Sequence, residues 1–96
     1  NEGLLRTAEG AALVGSFDVS LECWLMLVSR LSPNDEGWHR ARYESFRLLR
    51  QSDPIAADTA YAQYVVLYPD GSPEPWGGLI RGIFGESEFG AGEVGP

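Results

Sequence analysis

Lysine is missing from this chain of 96 residues: its seven basic residues are all arginine. Codons of a GC-rich genome, which favour Arg, Ala, Gly and Pro, explain this most simply. Selection against lysine modification, as in a viral or injected protein, would leave the same trace. Cysteine is nearly missing too. A single Cys23 closes no internal disulfide, so a disulfide-stapled secreted scaffold is excluded and a reducing, cytoplasmic or otherwise intracellular setting is expected. There is one histidine, His39, with no cysteine or second histidine at zinc-ligand spacing, so no metal and no cofactor is expected. The longest apolar run, Cys23 to Val28, falls far short of the ~20 residues that cross a bilayer. No signal peptide is evident. The chain starts at Asn1 instead of Met, which reads as a domain of something longer or a processed product.

What is present is acid. The net charge is −7, which repels a phosphate backbone and weighs against nucleic acid as a partner. The charge is uneven. Residues 30–50 are net positive, and both flanks are negative. The positive stretch is WHRARYESFRLLR, from Trp38 to Arg50, with Arg40, Arg42, Arg47 and Arg50 in it.

Along the chain, Leu4, Leu5 and Ala8 suggest a short helix limited by Gly3 and Gly10. From Leu13 to Cys23 apolar and polar residues alternate, which predicts a half-buried strand to about Val19. A helical face of Leu21, Trp24, Leu25, Val28 and Leu31 follows. Ser32-Pro33-Asn34-Asp35-Glu36-Gly37 breaks the pattern and starts a helix that runs to about Arg50. Asp53-Pro54 stops it and starts a short helix to about Ala60. The Tyr- and Val-rich segment from Tyr61 to Tyr68, a Pro69-Asp70-Gly71-Ser72 turn and a returning segment to Phe84 predict a β-hairpin. The expected fold is therefore α+β: two layers, a three- to four-stranded, mainly antiparallel sheet and two main helices, in one domain over residues 1–84 with a Gly-rich acidic tail over 85–96.

The arginine helix carries the functional expectation. Arg40, Glu44 and Arg47 share one helical face, and Tyr43, Arg47 and Arg50 an adjacent one. A solvated charged face is the plain interpretation. Arg and Tyr are also enriched at interface hot spots. Trp38, Arg40, Arg42, Tyr43, Arg47 and Arg50 are therefore the first candidate binding residues, with Trp76 and Arg81 on the expected hairpin as a second group. The run WGGLIRGIFG matches no phosphate or dinucleotide fingerprint, and as a strand it would offer an edge for β-augmentation. The expected function is a protein–protein interaction or regulatory module, for example a host-modulating domain of a viral or phage protein. It would bind another protein through an acidic or mixed surface, or form a homodimer. The alternative is a small enzyme or ligand-binding domain that uses His39 and carboxylates; no spacing of serines, Cys23 or acids names catalytic residues.

Overall fold

The computed structural model describes residues 2–85, and these contain helices and no strand. Five helices follow one another: α1 (Glu2–Leu13), α2 (Phe17–Arg30), α3 (Glu36–Ser52), α4 (Pro54–Leu67) and α5 (Trp76–Ile83). The expected α+β fold with its antiparallel sheet is thus overturned. The acidic tail expected over 85–96 lies, beyond Gly85 itself, outside the described residues.

Each misread segment has a helical period under its strand-like composition. In α2 the buried residues are Ser20, Cys23, Trp24 and Leu27, spaced by three and four. The alternation upstream is real, but Val19 and Phe17 of the apolar set are exposed. Leu25, placed on the inner face by sequence, also points outward. In α4, Ala57, Ala60, Tyr61 and Tyr64 repeat at the same spacing and face inward, and Tyr68, just after the helix, continues the row. Val65, Val66 and Leu67 add β-propensity without using it, since tertiary packing outweighs such preferences. In α5, Trp76, Ile80 and Ile83 line one side, so the supposed edge strand is a helix and offers nothing for β-augmentation.

The helix boundaries have local causes. Gly15, at φ 81°, ends α1, and the Ser16 N–H reaches back to the Ala11 carbonyl, the geometry of a Schellman cap. The Pro33 break precedes α3, which starts at Glu36, a little later than a cap at Ser32 or Asn34 would give. Asp53 caps α4 by accepting the Ala56 N–H at 3.1 Å, with Pro54 in the first turn.

α3 is the axis of the molecule. α2, α4 and α5 all pack on it, and α1 packs on α2. One apolar cluster joins Ala8, Cys23, Trp24 and Leu27 to Ala41 and Leu48 of α3. The other joins Trp38 and Phe46 of α3 to Tyr64 and Ile80. Cys23 is the buried small hydrophobe that its surroundings predict. Among the described residues no helix is long and apolar enough to cross a membrane.

Candidate functional site

The arginine row is engaged within the chain. Arg40 donates to Glu9 of α1 at 2.7 Å, lies 4.0 Å from Glu44 and covers the Trp24 ring. Arg47 donates to Glu44 through two nitrogens, at 2.8 and 3.1 Å. Arg50 joins α3 to α4 through Asp58 at 2.8 Å and covers the Phe84 ring. These partly exposed pairs each contribute about 0.2–1 kcal/mol. Their consequence is geometric, because they occupy the guanidinium groups.

Arg42 differs. Its guanidinium stands 4.9 Å from the Trp38 ring centre and within 6 Å of those of Phe46, Tyr64 and Tyr68. Its buried Nε has no hydrogen-bond partner. Burial pushes the guanidinium pKa down, and the hydroxyl groups of Tyr68 and Tyr64 oppose that shift.

The remaining candidates are also placed within the fold. Trp38 is buried against His39, Tyr64 and Tyr68. Tyr43 lies beside Trp76, whose indole N–H donates to Glu36 at 3.2 Å. Arg81 pairs with Glu74 at 3.1 Å. The Glu74 carboxylate also accepts the Gly78 N–H, and these two donors hold its pKa below the ordinary value, the Gly78 bond being the larger cause.

Two features were not foreseen. The first is a buried polar chain behind the α4–α5 loop. His39 Nε2 lies 2.7 Å from the Pro33 carbonyl oxygen, and Nδ1 lies 2.7 Å from Ser72 Oγ. A carbonyl can only accept, so Nε2 carries a proton; in the neutral form of the ring Nδ1 is then bare and accepts from the Ser72 hydroxyl. The Tyr64 hydroxyl, 2.5 Å from Ser72 Oγ, is then the donor to it. Ser72 lines a cavity of about 200 Å³ walled by Tyr61, Tyr64, Tyr68 and Ile80, with Asp70 and Arg81 also in its lining. Backbone packing fixes the loop: a Cβ on Gly77 would collide with the Ser72 carbonyl oxygen. In sequence, Ser72 and its turn read as a hairpin corner, and His39 entered only through the alternative of a small enzyme or ligand-binding domain, with carboxylates as its partners.

The second feature is the outer face of α4. Ile55, Thr59, Ala62 and Val66 recur at three- and four-residue spacing opposite the buried Ala57–Tyr64 side, and all are exposed. Ile55 is 79 % and Val66 77 % exposed. Asp58 is the only charged residue of the helix, and Arg50 neutralises it. The signal was present in sequence, as a helix apolar on both sides; the strand reading hid it. No group of three or more acids, histidines or cysteines suited to a metal occurs among the described residues.

Comparison with protein-family models, with curated proteins and with solved structures finds no match to this chain.

Proposed function

We propose that the chain is a protein-interaction module whose partner is a second copy of itself, docked through the outer face of α4. The observation that carries this is the exposed, uncharged stripe Ile55–Thr59–Ala62–Val66 on a molecule of net charge −7. A helix apolar all round is ordinarily buried on all sides. Here α3 covers one side only. The sequence-based expectation of an interaction module is kept, and the surface moves from the arginine row, where Arg40, Arg47 and Arg50 already hold carboxylates.

A second copy is favoured because the stripe reads nearly the same in both directions. Its large residues stand at the ends and its small ones in the middle. In an antiparallel pair with the two-fold axis midway along the stripe, Ile55 meets Val66 and Thr59 meets Ala62. This is the self-complementarity that an isologous contact needs. The stripe is about 16 Å long at the helical rise. It brings no charge against charge, which matters between two acidic molecules.

Sedimentation equilibrium tests this reading. The wild-type chain should show a concentration-dependent dimer. Val66→Glu should shift it to monomer with unchanged far-UV circular dichroism, since position 66 lies off the core. Val19→Glu, on the outer side of α2, should leave the dimer intact. A wild-type monomer at every concentration overturns self-association.

A further inference from the structure

We propose that Ser72 is a nucleophile for acyl transfer, with His39 as its general base and the tyrosine-walled cavity as the seat of a small acyl group. This site is separate from the α4 face, and neither proposal needs the other.

The Pro33 carbonyl selects, for the neutral His39 ring, the tautomer with a bare Nδ1, and that nitrogen lies 2.7 Å from Ser72 Oγ. A serine hydroxyl pointed at an unprotonated imidazole nitrogen, with the ring oriented by an acceptor on its far side, is the arrangement that activates a serine. Here a backbone carbonyl replaces the usual carboxylate as orienter. It fixes the tautomer as well, but lends the imidazolium less charge stabilisation, which suits reactive esters over amides. Ser72 is among the residues that line the cavity, and His39, bonded to its hydroxyl, is not. The Tyr64 hydroxyl donates to Oγ and so holds the serine hydroxyl toward the imidazole.

The cavity sets the substrate class. At about 200 Å³ it is smaller than the ~300–1,000 Å³ usual for drug-sized ligands. Tyr61, Tyr64, Tyr68 and Ile80 offer apolar and aromatic walls. A short aliphatic or single-ring acyl ester fits this description. In the reaction the Ser72 Oγ–carbonyl carbon bond forms as the carbon–alkoxy oxygen bond breaks. The serine proton passes to His39 Nδ1, and the leaving alkoxide takes a proton from water in the cavity. The hydroxide so formed attacks the acyl-serine carbonyl. The acid departs as the proton held on His39 returns to Oγ.

The test is covalent labelling of the full chain with a small alkyl fluorophosphonate. The serine oxygen bonds to phosphorus, fluoride leaves, and the serine proton leaves with it by way of His39. Intact mass and peptide mapping should show one adduct, on Ser72. His39→Gln should slow labelling by about 100-fold, the lower end of what general-base assistance supplies. Tyr64→Phe should slow it less, with helicity unchanged. Ser72→Cys keeps a nucleophile at the position, and its thiol should react with iodoacetamide faster than the same thiol in the urea-unfolded chain. The proposal is overturned if the folded protein labels no faster than the unfolded one, if the adduct lies elsewhere, or if the position-72 thiol is no faster in the folded state. Any of these outcomes would leave the His39–Ser72–Tyr64 chain as a clamp on the α4–α5 loop.

Discussion

At the scale of single residues, the arginines and their surroundings carry the clearest lesson. The sequence shows where the positive charge is, but not where it goes. Pairing with Glu9 depends on α1 lying beside α3, and stacking on Trp24 depends on α2. Neither neighbour is legible from spacing within one helix; only the Glu44 pairs are. Arg42 is the sharper case, because its four ring neighbours come from α3, α4 and the residue after α4. Cation–π attraction of up to about 2 kcal/mol is set against the burial of a charge with an unmet Nε. These nearly cancel, so Arg42→Met should change stability in urea by less than about 1 kcal/mol. Trp38→Ala, at a fully packed position next door, should cost about 3–5 kcal/mol. A large loss in Arg42→Met would mean that the aromatic cage stabilises the cation more than burial opposes it. Ser20 is a second residue whose work is invisible in sequence. Fully buried, it donates to the Ala8 carbonyl at 2.8 Å and so ties α2 to α1. Ser20→Ala should lower stability by about 1 kcal/mol, the worth of one intramolecular hydrogen bond. Equal urea midpoints for the two proteins would show the bond contributes nothing.

At the scale of elements, what could be read depended on punctuation. α3 and the start of α4 are flanked by Pro33, Asp53 and Pro54, whose chemistry acts locally, and both were legible. α5 and the second half of α4 were not. A Tyr/Val segment, a Pro-Asp-Gly turn and a Gly-rich return satisfy every local rule for a hairpin. What decides for helix is the non-local packing of Tyr61, Tyr64 and Tyr68 on Phe46 and Trp38. The glycines of α5, which looked like strand bulges, allow close approach: Gly77 sits against the Ser72 backbone. Glu74 has a matching role at the start of this short helix. Pro75, at the N-cap, supplies no side-chain bond, and the Glu74 carboxylate takes the Gly78 N–H in its place. Its pKa is lowered in the folded state, so it stabilises α5 above the ordinary carboxylate range. That contribution is lost as pH falls through the lowered value. Acid titration followed by the amide shifts of Leu79 and Ile80 should show a transition that Glu74→Gln abolishes. A transition that survives the substitution would assign it to another acid.

At the scale of the whole molecule, the helices form an open array around α3 instead of a closed bundle. The extents of 46 × 28 × 21 Å reflect this. One apolar cluster lies toward α1 and α2 and the other toward α4 and α5, and α3 contributes to both. Such an arrangement makes stability uneven, because local opening follows burial and the number of covering neighbours. α3 is covered by α2, α4 and α5, so its amides from Ala41 to Leu48 should exchange only on global unfolding. α1 is held by α2, the Ser20 bond and the Arg40–Glu9 pair, and should open first. The outer face of α4 adds a condition to this order. If two molecules join there, amides of α4 near Ala62 should gain protection as concentration rises, while those of α1 do not change. Native-state hydrogen exchange at two concentrations reads both effects at once. Uniform slowing across all helices would signal general stabilisation by crowding or aggregation. Slowing confined to α4, and abolished by Val66→Glu, is what an isologous contact on that stripe requires.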